Sequence, residues 1–182
     1  TAGGVVGWMT TVENCIGSSR EAARATTESP AEIADALACH HAAGGTDMVL
    51  EVSSHAIDQH RVAGVPLEGA AITTLGRDHL DYHNSIEEYH ATKLRLRELC
   101  NDGAPFLYPV EKQKTGCFGY LVAAPEGEID EVTAEVLESS LSGTDARIRL
   151  KSFEREIHIR QPGTYNVSNA LCAIALADAC GI

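Results

Sequence analysis

The sequence predicts an α/β fold, with a doubly wound, mostly parallel sheet and a small antiparallel β appendage. Apolar runs at residues 3–9, 47–52 and 69–75 are typical of strands buried in a parallel sheet. Helix-start signals separate these runs, which gives the strand–helix alternation of α/β proteins. Residues 146–160 instead alternate apolar and polar side chains with a period of two, as antiparallel strands do.

The first strand and the first helix are predicted from residues 3–45. The segment Gly3–Met9 is predicted to be a buried strand. Ser29–Glu32 has the pattern of a capping box, with Pro30 at the first helical position. Gly44 and Gly45 then end the helix.

Two further strands and a second helix are predicted between residues 47 and 100. Asp47–Val52 and Gly69–Leu75 have the continuous apolar character of strands buried on both faces. Ser85–Glu88 is a second capping box, which predicts a helix to about Cys100.

Residues 101–164 are predicted to form the antiparallel appendage. Ala146–Lys151 and Glu156–Arg160 form a predicted hairpin connected near Ser152-Phe153. Its polar face sets three basic residues against two acidic ones: Arg147, Arg149 and Lys151 against Glu154 and Glu156. The chain closes with a predicted alanine-rich helix over Ala170–Cys180.

Composition places the chain among ordinary globular domains. Its 182 residues are 44% hydrophobic, a length that suits one domain over 1–182. Fourteen Lys and Arg residues against 26 Asp and Glu give a formal charge of −12, which argues against nucleic acid or anionic membrane partners. The six cysteines form no C-x-x-C pair, so we expect reduced thiols and a cytoplasmic protein.

A dense polar cluster follows the second predicted strand. It contains Glu51, Ser53, His55, Gln59 and Arg61, at the position where open α/β sheets bind ligands. In the alternative interpretation, the hydroxyl groups cap the next helix and Arg61 is solvated.

A second polar cluster, Arg77–His83, follows the third predicted strand. Asp78, His79, Asp81 and His83 could supply oxygen and nitrogen ligands to a cation. The alternative is a polar loop in which an Asp caps a helix.

Lys93 lies on a predicted apolar helix face together with Ile86, Tyr89 and Leu96. A lysine in such a place must snorkel, pair with another group or be modified, for example by CO2 to a carbamate that holds a metal. Spacing alone favours the snorkelling lysine.

Several motifs together resemble the Mur ligases, ATP-dependent amide-bond ligases of peptidoglycan synthesis. They are Thr26-Thr27, Glu-Val-Ser-Ser-His at 51–55, Gln59–Val62, Arg-Asp-His-Leu-Asp-Tyr-His at 77–83, Ala91-Thr92-Lys93 and Tyr165–Ala170. The resemblance runs through the whole chain and covers only the central domain of the family. The most similar branch comprises the UDP-N-acetylmuramoyl-L-alanyl-D-glutamate ligases, which add the third residue of the stem peptide.

The resemblance implies a role for each matching residue. It implies ATP, Mg2+ and a carbamylated Lys93, with Glu51, His79 and Lys93 as metal-holding catalytic residues. It implies that the UDP-MurNAc-dipeptide contacts Thr26, Thr27, Ser53, Gln59 and Arg61. Asn169 would approach the adenine of ATP, and a free amino acid, either meso-diaminopimelate or L-lysine, would be the second substrate.

The sequence also departs from the family pattern. The phosphate-binding loop G-x-x-G-K-[ST] and the C-terminal domain are absent, so we expect a fragment truncated at both ends that cannot ligate alone. Thr74 stands where the family usually has Asn, and residues 101–119 look shortened, which predicts a lost turn and a lost strand. Two other functions therefore stay open: a non-catalytic Mur-ligase-like binding protein, and a folylpolyglutamate-synthase-like ligase.

Overall fold

The computed structural model describes residues 4–123 and 129–182, which fall into two compact units. The first unit comprises Thr1–Pro66 and Arg77–Leu99, and the second comprises Leu67–Gly76 and Cys100–Ile182. Each unit has its own sheet, which is accompanied by three α-helices in the first unit and by one in the second, among the residues described. Among the described residues, no helix is long and apolar enough to span a membrane.

The first unit contains a four-stranded sheet and three helices. The strand order is β3-β2-β1-β4, in which only β1 and β4 are parallel. The strands are β1 (Val6–Met9), β2 (Glu13–Ile16), β3 (Ser19–Ala22) and β4 (Asp47–Leu50). The helices are α1 (Pro30–Ala42), α2 (Ser54–Asp58) and α3 (Ile86–Leu94), which continues as a 3-10 helix (Arg95–Leu99).

The helix starts of the first unit follow the predicted capping signals. The Ser29 hydroxyl accepts from the Glu32 amide, and the Glu32 carboxylate accepts from the Ser29 amide at 3.1 Å, so the first capping box is confirmed. At α3, Ser85 accepts from the Glu88 amide, but the Glu88 carboxylate binds Asn84 instead. The second box is therefore only half formed.

The prediction that strand β4 is buried on both faces is wrong, since Val49 is 58% exposed. Strand β4 also lies at an edge of the described sheet, with β1 as its neighbour on one side only. An apolar run predicts a strand but does not reveal where that strand lies in its sheet.

The second unit contains a six-stranded sheet covered by one helix. The strand order is β10-β9-β8-β7-β6-β5, and only β5 and β6 are parallel. The strands are β5 (Ala70–Ala71), β6 (Phe106–Val110), β7 (Cys117–Ala123), β8 (Ile129–Ser140), β9 (Gly143–Arg149) and β10 (Glu154–Ile159). Helix α4 (Tyr165–Ala179) buries Val167, Leu171 and Ala175 in the core of this unit.

The α/β class is confirmed, but both sheets are mixed rather than mostly parallel. The connection from β1 to β4 runs through β2, β3 and α1 and is long enough for parallel pairing, whereas β2 and β3 follow through short turns that favour antiparallel pairing. In the second unit, the antiparallel strands β6–β10 form most of the sheet.

The predicted hairpin of the second unit is confirmed as β9 and β10. Arg147 lies 2.7 Å from Glu156, and Arg149 lies 2.9 Å from Glu154. Lys151 differs from the prediction, since it pairs with Asp130 at 3.3 Å.

The prediction that residues 101–119 lack a strand is wrong. Strand β6 lies in this segment and pairs in parallel with β5. A turn is present too: the Ala104 amide donates to the Asn101 carbonyl, and Gly103 supplies the required positive φ of 81°. The structure thus removes one reason for expecting a non-catalytic relative.

Candidate active site

The candidate site of the first unit begins where the parallel strands β1 and β4 end side by side. Thr11 follows β1 and Glu51 follows β4. The Thr11 amide donates to Glu51 Oε2 at 2.8 Å, and the Thr11 hydroxyl donates to Oε1 at 2.9 Å. Two hydrogen bonds therefore fix the direction of an exposed carboxylate at this edge of the sheet.

Thr27 joins the segment before α1 to the segment after β4. Its buried hydroxyl donates to the Glu51 carbonyl at 2.9 Å and accepts from the Ser53 amide at 3.0 Å. The Thr26 hydroxyl lies 3.2 Å from that of Thr11. The structure thus brings Thr26, Thr27 and Ser53 to the backbone and side chain of Glu51.

Arg61 is held by three hydrogen bonds. One guanidinium nitrogen donates to the Thr27 carbonyl at 2.7 Å, while two others donate to Gln59 Oε1 at 3.0 and 2.7 Å. The interpretation of Arg61 as merely solvated is therefore wrong. Through its forked guanidinium group, Arg61 thus connects Gln59 to the segment that contains Thr27.

Ser53 has a structural role as well, as the alternative interpretation predicts. Its hydroxyl accepts from the Ala56 amide at 3.2 Å and caps α2. This short helix begins at Ser54, whose hydroxyl lies 3.0 Å from His83 Nε2, and both of these side chains are buried.

A cluster of aromatic rings surrounds the start of α2. Its members are His55, His79, Tyr82, His83 and Tyr89. The ring centroids of His55 and His79 are 5.0 Å apart, and those of His55 and Tyr82 are 4.0 Å apart. Burial lowers the pKa of His55, and the nearby charges of His79 and His83 lower that pKa further.

His79 lies in a polar loop and has an unusual backbone conformation. Its φ is 52°, in the left-handed region, and its amide donates to Asp78 Oδ1 at 2.8 Å. Such a conformation is disfavoured for a residue with a Cβ and is enriched at functional sites. The polar loop is confirmed, but the proposed Asp cap is wrong, since Ser85 caps α3.

Lys93 and His79 both lie against Tyr89. The Lys93 amine is 4.7 Å from the centroid of the Tyr89 ring, and the His79 ring is 6.1 Å from it. The lysine is half-buried and makes a cation–π contact. The structure therefore brings two of the three predicted metal-holding residues to one ring, while the side-chain carboxylate of the third, Glu51, accepts hydrogen bonds from Thr11.

Metal-ligating side chains of the common types do not cluster in the part of the chain that the structure describes. Within residues 4–123 and 129–182, no three His, Cys, Asp or Glu side chains are grouped closely enough to hold an ion. A carbamylated lysine is none of these four residue types, and it would supply a further oxygen ligand.

Asn169 belongs to the second unit, where it is exposed on α4. The preceding residue, Ser168, has its hydroxyl 3.2 Å from the Tyr120 hydroxyl, which donates to the Thr73 carbonyl at 2.8 Å. Burial raises the pKa of Tyr120 to about 12. Tyr120 thus fixes the first turns of α4 relative to the segment that follows β5.

Comparison with known families identifies this arrangement. The family model described as the Mur ligase middle domain matches residues 2–177. The chain belongs to this family.

Named relatives agree with this assignment of a Mur ligase middle domain. UDP-N-acetylmuramoyl-L-alanyl-D-glutamate--2,6-diaminopimelate ligase of Caldanaerobacter subterraneus is 31% identical over 97% of this chain and 37% of its own length. The enzyme of the same name from Brucella melitensis is 34% identical over 86% of this chain and 34% of its own length. The chain thus spans little more than a third of these relatives.

A solved structure shows the same fold as this Mur ligase middle domain. The structure of a UDP-N-acetylmuramoyl-L-alanyl-D-glutamate--2,6-diaminopimelate ligase matches with a TM-score of 0.73 and 22% sequence identity. The match covers 98% of this chain and 38% of that chain.

Two residues of this Mur ligase middle domain were missed by the sequence-based site prediction. Thr11 has no motif that marks it, and its bonds to Glu51 depend on the parallel pairing of β1 with β4, 40 residues apart. Tyr89 does carry a signal, because it lies four residues before Lys93 on one helix face.

Proposed function

We propose that this chain forms the middle domain of an ATP-dependent ligase of peptidoglycan synthesis. The ligase would join an amino acid to UDP-MurNAc-L-Ala-D-Glu through an acyl phosphate. The observation that carries the proposal is the connected network of Glu51, Thr27, Ser53 and Arg61, in a chain whose relatives are named for this reaction. Diaminopimelate is the amine to test first, since it appears in the relatives' names.

The substrate side of the proposed site depends on Arg61. A guanidinium has five N–H groups, and within the described residues three of them bind Gln59 and Thr27, which leaves two for an anionic substrate. The bonds to Gln59 and Thr27 hold the side chain in place before substrate arrives, which lowers the entropic cost of binding. We assign the dipeptide nucleotide to Arg61 together with Thr26, Thr27, Ser53 and Gln59.

The metal side would consist of Glu51, His79 and a carbamylated Lys93. Carboxylate and carbamate oxygens are the ligands that Mg2+ prefers, and the Glu51 carboxylate is exposed and already oriented by Thr11. When bound, Mg2+ would reduce the repulsion between the ATP phosphates and the substrate carboxylate. We assign Asn169 to the adenine region of ATP.

Calorimetric titration of the chain with UDP-MurNAc-L-Ala-D-Glu tests the substrate site. We expect Arg61→Ala to weaken binding at least tenfold, as charge-assisted hydrogen bonds are worth roughly 1.5–3 kcal/mol. The matched control is Arg160→Ala, an exposed arginine of the second unit, which should bind like the unaltered chain. Equal weakening by both variants, or no binding by the unaltered chain, would contradict the proposal.

Carbon-13 NMR in labelled bicarbonate tests the lysine. We expect a carbamate carbon signal that disappears in Lys93→Arg and persists in Lys151→Arg, whose lysine pairs with Asp130 on the other unit's sheet. A signal that survives Lys93→Arg would refute the assignment of the carbamate to this residue.

A further inference from the structure

We propose that a pocket between the β2–β3 hairpin and α1 binds a small primary aliphatic amine in its ammonium form. The pocket lies within the first unit and has a volume of about 210 Å³. Its apolar lining comes from Met9, Ile16 and Ala36. None of the residues of the proposed ligase site lines this pocket, so the inference does not rest on the proposed function.

Asn14 provides the observation that points to a ligand. It stands on β2 opposite Met9 of β1 and Glu21 of β3, so its side chain shares the sheet face that lines the pocket. Asn14 is only 5% exposed, and its Oδ1 has no hydrogen-bond partner among the described residues. A buried acceptor without a partner is unfavourable, and a donor from an occupant would relieve this.

Glu28 fixes which end of the Asn14 amide is unpartnered. Glu28 is 8% exposed, and its Oε1 accepts from Asn14 Nδ2 at 3.4 Å and from the Arg24 amide at 3.3 Å. A flipped Asn14 amide would place its oxygen against this carboxylate, so the flipped form is disfavoured. The unsatisfied group is therefore an acceptor, and the occupant must be a donor.

The charge of the pocket selects a cationic donor. Four carboxylates line it, those of Glu21, Glu28, Glu32 and Asp35, against the one guanidinium of Arg24, so its lining has a formal charge of −3. The guanidinium lies 3.7 Å from Glu32. An ammonium group has three N–H donors and no acceptor, which matches both the charge and the free Asn14 oxygen.

An amine fits better than a metal ion. The described part of the chain holds no group of three carboxylate, His or Cys side chains close enough to bind a metal. The apolar side chains of Met9, Ile16 and Ala36 instead suit the alkyl part of an amine. Because Asn14 Oδ1 is covered in the empty pocket, we expect the amide to rotate slightly on binding.

Amide NMR titration of the chain with butylamine at neutral pH tests this site, with 1-butanol as the uncharged ligand of similar size. We expect saturable binding of one butylamine, with shifts at the amides of β2 and α1, and at least tenfold weaker binding of 1-butanol. Glu28→Gln and Asn14→Leu should each weaken butylamine binding at least tenfold. The control Glu111→Gln, at an exposed acidic residue of the second unit, should leave binding unchanged.

Three results would overturn the proposal. They are equal binding of butylamine and 1-butanol, displacement of butylamine by an equimolar amount of Ca2+, and unchanged binding in Glu28→Gln. Circular dichroism checks the folding of each variant. If Asn14→Leu does not fold, the proposal is still tested by Glu28→Gln and by the comparison of butylamine with 1-butanol.

Discussion

The hydroxyl group of Tyr120 is expected to stabilise the second unit, and Tyr120→Phe removes that group alone. The side chain is fully buried, and its hydroxyl donates to the Thr73 carbonyl at 2.8 Å and lies 3.2 Å from the Ser168 hydroxyl. Phenylalanine fills the same space but leaves both partners without this contact. Each hydrogen bond contributes about 0.5–1.5 kcal/mol net, so the free energy of unfolding should fall by roughly 1–3 kcal/mol.

The loss of stability in Tyr120→Phe is also expected to depend on pH. The pKa of Tyr120 is raised in the folded chain from 10.0 to about 12, chiefly by burial. Folding therefore favours the protonated phenol, and this contribution is complete below pH 10 and is lost as the pH rises towards 12. The difference in unfolding free energy between the unaltered chain and Tyr120→Phe should narrow over that range.

Urea unfolding followed by circular dichroism at pH 8, 10 and 11 measures both effects. The matched control is Tyr108→Phe, at a half-buried tyrosine of the same sheet, which should change stability by less than about 0.5 kcal/mol. The reasoning is refuted if Tyr120→Phe is as stable as the unaltered chain at pH 8. It is also refuted if the difference between them stays constant from pH 8 to pH 11.

Three other predictions concern the first unit. Ser29→Ala removes the confirmed capping box and should lower the free energy of unfolding by about 1 kcal/mol in urea titrations, whereas an unchanged midpoint would contradict this. His83→Leu leaves the buried Ser54 hydroxyl without its partner and should cost about 1–3 kcal/mol; adding Ser54→Ala should cost less than the sum of the single changes, and strict additivity would deny the contact. Finally, Mg2+ should increase the carbon-13 carbamate signal of Lys93, and a signal independent of Mg2+ would argue against a shared metal site.

Local signals predicted the elements that depend on neighbouring residues. The capping box of α1 and the alternating pattern of β9 and β10 act within a few positions, so their residues alone specify them. Strand β3 gave no such signal, because all four of its residues are exposed and it has no apolar face. The order of the strands in the sheet could not be predicted from local signals either. The pairing of β1 with β4 spans about 40 residues and depends on the packing of α1.

For the candidate site too, the sequence indicated which residues take part but not which of them are in contact. The sequence identified Arg61 and Thr27 as candidate residues, but their contact joins positions 34 apart. Ser53 illustrates a further difficulty, because the capping interpretation and the site interpretation both describe it. Its hydroxyl caps α2 while its amide binds Thr27, so a single residue satisfies a local and a long-range requirement together.

The contact between Lys93 and Tyr89 makes the proposed carbamate depend on the rest of the site. A ring face attracts a cation, and a contact such as this one at 4.7 Å contributes roughly 0.5–1 kcal/mol. A carbamate is an anion, and the same ring face would repel it. Modification therefore needs a nearby positive charge that compensates for the lost contact. A metal ion held by His79, on the same ring, and by the carboxylate fixed by Thr11 would supply that charge, so we expect the lysine, the histidine and Glu51 to act together.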